Sequence, residues 1–176
     1  MKIFFKKTKG FTLIELVLVV AILSILSVMV IFAINPLAQF QKANDAKVKS
    51  DLAQIQRALE IYYDDNGSYP PSTGAPNFEI FNPAKNQAIA WGTSSGSGGS
   101  FAPYMNFLPV PPGSSKYIYF TQNGQEYFLY GNLERGVSDP QICKNLDSNG
   151  ECPYVPGLNL CGGKCNFGLS SPNVNP

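Results

Sequence analysis

The sequence predicts an α+β chain: a long N-terminal helix, transmembrane in its first part and amphipathic in its second, packed on a small antiparallel β-sheet and followed by a cysteine-stapled C-terminal tail. Three observations carry this reading. Residues 11–34 form an apolar run with a single charge, Glu15. Residues 48–62 place apolar side chains in steps of three and four. Two aromatic, β-branched runs flank Asn123-Gly124, and all four cysteines lie after residue 142.

The chain has 176 residues, enough for one domain plus an anchor. Its formal charge is +1, but Lys2, Lys6, Lys7 and Lys9 stand in the first ten residues, leaving nine cations against twelve anions beyond them. That balance gives no electrostatic footprint for nucleic acid. The chain has no histidine, which excludes Ser-His-Asp and Cys-His catalysis and any histidine-ligated metal. No carboxylate pair or other catalytic constellation stands out, so no enzyme is expected.

Residues 1–10 read as a short basic leader. Residues 11–34 would form a helix about 36 Å long, enough to span a bilayer with some tilt. The denser positive flank precedes the run, which predicts a cytoplasmic N-terminus and an exported C-terminal head. The run is long for a signal peptide, and no small-x-small site ends it. A plain single-pass anchor explains the length but not Glu15, because a carboxylate inside hydrocarbon costs about 2.5 kcal/mol or more, unless it snorkels to the headgroups.

The segment from Lys9-Gly10 through Phe11-Thr12-Leu13-Ile14-Glu15 resembles the processing site of type IV prepilins and pseudopilins. The resemblance implies cleavage between Gly10 and Phe11 by a prepilin peptidase at the bacterial inner membrane, N-methylation of Phe11, and polymerisation through the helix as a homo-oligomer with other pilins or pseudopilins on an inner-membrane assembly platform. Cleavage would leave a cationic amine on Phe11, one helical turn from Glu15. In a filament, Glu15 of one subunit would neutralise the Phe11 amine of a neighbour and set the assembly register.

Asn35-Pro36 interrupts the helical pattern. Pro36 predicts either a kink or local melting within one helix, or the end of one helix and the start of another. Residues 35–65 continue as an amphipathic helix, with Val48, Leu52, Ile55, Leu59 and Tyr62 on one stripe and Lys47, Lys49, Asp51, Gln54, Arg57 and Glu60 on the remaining faces. Gly67 suits a left-handed stop. Residues 66–115 read as a loop region, with a flexible Gly/Ser tract at 93–100. Asn66-Gly67-Ser68-Tyr69-Pro70, and Tyr104, Leu108, Pro109 and Pro112 further on, resemble segments of the major pseudopilins of type II secretion, though Pro111 stands where that family has an aspartate.

Residues 116–142 read as a hairpin with strands at 116–120 and 126–130, one face of which covers the helical stripe. A third strand would come from residues 132–134 or from the tail. In the tail, residues 143–176, Cys143, Cys152, Cys161 and Cys165 admit three disulfide pairings or a four-thiolate zinc site. Export favours two disulfides. Asp147 and Glu151 faintly echo a calcium loop but supply few oxygen ligands; a polar turn fits better, and no cofactor is expected. The resulting expectation is a structural filament subunit, a type II secretion pseudopilin, with a type IV pilus pilin for adhesion, motility or DNA uptake as the alternative. From a different class, a membrane-tethered extracellular binding module would need no processing.

Overall fold

The computed structural model describes residues 10–92, 101–172 and 174; the basic leader at 1–9 and the Gly/Ser tract at 93–100 lie outside the described residues. The chain divides into two compact units, Met1–Phe40 and Gln41–Pro176.

The first unit holds α1 (Leu13–Ile34) and the opening turn of α2 (Pro36–Asn66). Of the two readings open at Asn35-Pro36, the structure has the end of one helix and the start of another. Asn35 takes the left-handed conformation (φ 46°, ψ 74°) that ends α1, a conformation asparagine tolerates better than most residues. Its carbonyl then accepts from Ala38 N–H at 3.1 Å, and its side-chain oxygen from the same N–H at 3.4 Å. Pro36 follows as the first residue of α2, the helical position where a missing N–H costs nothing. A stop and restart thus replaces a bend within one helix.

In the second unit, α2 is the spine. Val48, Leu52, Ile55, Ala58 and Leu59 are buried against Tyr117, Tyr119, Tyr127, Leu129, Leu133 and Phe167. These sheet residues come from β3 (Ile118–Thr121), β4 (Tyr127–Gly131) and β5 (Phe167–Ser170) and their flanks, an antiparallel sheet in the order β3-β4-β5. The expected hairpin is present with both strands displaced towards the C-terminus by one or two residues, and Gly124 (φ 72°) sits in the connection. The third strand comes from the tail: β5 pairs with β4, Leu129 opposite Leu169. Gly131 has its own packing reason, since a Cβ there would lie 2.9 Å from Val48 Cγ1; its absence lets β4 approach the helix.

β4 is buried along its whole length, and its alternation explains why. Tyr127 and Leu129 face α2, while Phe128 and Tyr130 enter a second core with Phe78, Ile118 and all four cysteines. The cysteines form disulfides Cys143–Cys152 and Cys161–Cys165. The tail therefore covers the sheet face that α2 leaves bare, using cystine sulfur as apolar filler.

The region read as a loop at 66–115 carries a second hairpin, β1 (Ile80–Asn82) with β2 (Gln87–Ile89). Ile80 and Ile89 face each other in its register and are both fully buried. The segment was too short and too rich in Asn and Pro to show a strand period in the sequence; burial of this isoleucine pair in the main core holds it.

Two outcomes follow. Leu52→Ala removes a side chain with no solvent exposure, so chemical denaturation of the full chain in micelles will show a loss of about 2–5 kcal/mol. Tyr69, Tyr117, Tyr119, Tyr127 and Tyr130 are all pushed up from the ordinary phenol value of 10.0, first by burial. Their stabilising contribution is complete below that value and is lost as pH rises above it, because unfolded tyrosines ionise there and folded ones do not. Denaturation midpoints measured from pH 8 to 12 will be level up to about 10 and then fall.

Candidate assembly and processing site

Gly10, Phe11 and Thr12 precede the first helical residue, Leu13. Thr12 is the N-cap, in extended conformation. Its hydroxyl accepts from Glu15 N–H at 3.3 Å. The Glu15 carboxylate reaches back and accepts from Thr12 N–H at 2.8 Å and from the Thr12 hydroxyl at 2.7 Å. This is a complete capping box, two otherwise unsatisfied helix-end amides served reciprocally. The Thr12-x-x-Glu15 spacing ahead of an apolar run was its sequence signal, though the sequence reading weighed Glu15 only as a charge. Glu15 has hydrogen-bond donors here but no counter-charge among the described residues.

The helix behind it has no cover. Every described side chain of α1 is exposed; Leu13 and Ile14 are 80% and 74% accessible. Such a surface is untenable in water and demands lipid or other helices around it. Leu13–Ile31 is long and apolar enough to cross a membrane. Its only hydroxyls, Ser24 and Ser27, donate to the carbonyls of Val20 and Leu23 at 2.7 Å, so they enter an apolar medium already satisfied.

The head is latched by four carboxylates, two of which, Asp51 and Glu60, are expected from the sequence on the faces of α2 away from its apolar stripe. Asp51 is buried and accepts from the Tyr117 hydroxyl at 2.7 Å and from Lys47 at 2.9 Å. Lys47 also donates to the Val110 carbonyl. Glu60 accepts from the hydroxyls of Tyr69 and Tyr127 at 2.9 and 2.8 Å. Asp45 is 2% exposed and accepts from the backbone N–H groups of Glu134 and Arg135 and from Arg135 Nε. Asp139 takes Lys49 at 2.6 Å and Arg135 at 2.7 Å. The correction has a physical reason: the strand tyrosines bring hydroxyls into the interface, and each needs a buried acceptor. Asp45 was legible, three residues before Val48 on the same stripe.

The weak calcium option at Asp147 and Glu151 is used internally. Asp147 Oδ1 accepts from Asn149 and Glu151 N–H at 2.8 and 2.9 Å, and backbone hydrogen bonds hold its carboxyl below the usual range. Glu151 is buried and accepts from Asn159 N–H at 2.7 Å. Among the described residues no group of three or more acidic, cysteine or histidine side chains is placed to hold a metal. Both cysteine pairs are spent in disulfides, which leaves no thiolate for zinc.

Residues 5–34 match the family model of the prokaryotic N-terminal methylation motif. Together with the apolar α1, this match fits a prepilin-like leader and a membrane-anchored, pilin-like or pseudopilin-like protein; it covers the N-terminal segment and not the head. No match was found among curated proteins or among solved structures.

The Asp139 carboxyl gives a test of the latch. Burial raises its pKa, but the bonds from Lys49, the Gln141 N–H and Arg135 outweigh this and hold it at about 2. Its contribution is present above the unfolded value near 3.8 and is lost as pH falls through the folded one. The acid limb of the stability curve will therefore flatten in Asp139→Asn, measured by denaturation between pH 2 and 5.

Proposed function

We propose that the chain is a structural subunit of a type IV pilus-like filament, processed between Gly10 and Phe11 and assembled through α1. The observation that carries this reading is a carboxylate, Glu15, without a counter-ion among the described residues, on an apolar helix whose described side chains are all exposed, inside a segment matching the methylation motif. An unpaired charge in apolar surroundings is costly, and the nearest residue able to supply a cation is Phe11, once proteolysis frees its amine.

In this reading the peptidase meets an extended Gly10-Phe11 segment ahead of the helix start. The released amine takes one methyl group and keeps its positive charge. The subunit waits in the inner membrane, N-terminus cytoplasmic and head outside, until the platform adds it to the filament. There α1 exchanges lipid for neighbouring helices, and Glu15 meets the Phe11 amine of an adjacent subunit. Between the two filament types, the likeness of residues 66–70 to the major pseudopilins favours a secretion pseudopilus, so partner pseudopilins and an exported cargo are proposed with it. The chain performs no chemistry itself.

Mass spectrometry of the protein from its native membrane will find an N-terminal peptide that begins at Phe11 and is one methyl group heavier than the unmodified sequence; a peptide retaining Met1 or Lys9 overturns the proposal. Glu15→Ala will be cleaved but absent from sheared filaments, which a blot of membrane and filament fractions will resolve. Deletion of the gene will abolish export of a secreted protein while leaving surface pili in place if the filament is a pseudopilus, and will remove the pili if it is not.

A further inference from the structure

Two adjoining cavities lie on the head. One, of about 580 Å³, is lined by Tyr62, Ser68, Pro83, Gln122 and Asn123 among others. The other, of about 340 Å³, shares Tyr62 and Pro83 and continues towards Tyr104 and Lys85. Their sizes lie in the range of small-ligand sites. Tyr62 is braced where the cavities meet, edge-on to Tyr104 at 5.0 Å and stacked on Phe101 at 5.7 Å.

The lining chemistry is selective. The larger cavity has no charged side chain among its described lining residues, and the smaller has Lys85 alone. An anionic ligand would find one cation and a cationic ligand no carboxylate. An extended peptide would need an open strand edge, and the nearby edge of β3 is taken: Tyr119 N–H donates to the Phe78 carbonyl at 2.8 Å, and Thr121 N–H to the Ser72 hydroxyl at 3.4 Å. What remains is uncharged hydrogen-bonding capacity beside ring and proline faces. Gln122 is exposed with no partner for its amide among the described residues. Asn123 spends its side-chain oxygen on Gln125 N–H at 3.0 Å, which leaves its NH₂ as a donor.

We propose that this paired cavity binds a neutral oligosaccharide, with Tyr62 as the ring against which a sugar face packs and with Gln122 and Asn123 as the hydrogen-bonding groups. A subunit carrying such a groove would contact glycan on a cell surface or on a glycosylated protein. The site is independent of processing at Phe11, so it stands whether or not the filament reading does.

Saturation-transfer NMR on the full chain in lipid nanodiscs, with maltotriose, cellotriose and triacetylchitotriose as probes and decaproline as the peptide control, tests the proposal. Saturation will pass to at least one trisaccharide, and its affinity will fall about fivefold to tenfold in Gln122→Ala, the loss expected for one hydrogen bond. Asn123→Asp, which keeps the acceptor for Gln125 N–H and removes the donor, will show the same fall at an unchanged melting temperature. No transfer to any trisaccharide, transfer to decaproline alone, or equal affinity in wild type and both variants would each overturn it.

Discussion

A single carboxylate on an apolar helix constrains everything else in the molecule's N-terminal unit. Glu15 sits in the first turn of α1, exposed and without a counter-charge among the described residues. The capping box with Thr12 satisfies its hydrogen-bonding capacity but leaves its charge. That difference matters because a hydrogen-bonded carboxylate tolerates a membrane interface, whereas a low-dielectric helix bundle rewards ion pairing far more strongly than water does. In the proposed filament the same side chain serves twice in sequence, first closing the end of its own helix and then meeting the amine of a neighbour.

The head follows a different logic. Its α2 is apolar along one stripe, and the edges of that stripe carry acids rather than solvent-facing charges. Asp51 and Glu60 accept from three tyrosine hydroxyls, and Asp45 and Asp139 hold the loop that contains Arg135. Buried pairs of this kind contribute little net stability compared with apolar substitutes, but losing one partner is costly. They fix how α2 lies on the sheet. On the opposite face the two disulfides complete a core that a tail of Gly, Pro and Asn could not build from hydrocarbon alone.

Legibility in the sequence tracked the range of the interaction. The apolar run, the stripe from Val48 to Tyr62 and the aromatic hairpin depend on local periodicity, and all three were readable. So was the placement of a stop near Asn35, although the sequence left a bend and a restart equally open; asparagine's tolerance of the left-handed region decided between them. The hairpin of β1 and β2 was not readable, because its two short strands are held by the non-local burial of Ile80 and Ile89. Disulfide pairing was equally opaque, since spacing permits three arrangements and only the fold brings Cys143 to Cys152. The inward turn of Asp51 and Glu60 was not readable, because the tyrosines they meet lie as much as 67 residues away. The capping box is legible as the local spacing Thr12-x-x-Glu15 ahead of the apolar run, a signal separate from the charge of Glu15.

The direct test of the central electrostatic claim is a zero-length carbodiimide cross-link in intact filaments assembled from a mixture of ¹⁵N-labelled and unlabelled subunits. A contact between the Glu15 carboxylate of one subunit and the Phe11 amine of another predicts an amide-linked peptide pair with one labelled and one unlabelled member. Finding that link only within single subunits, or finding Glu15 uncoupled throughout well-ordered filaments, would contradict it.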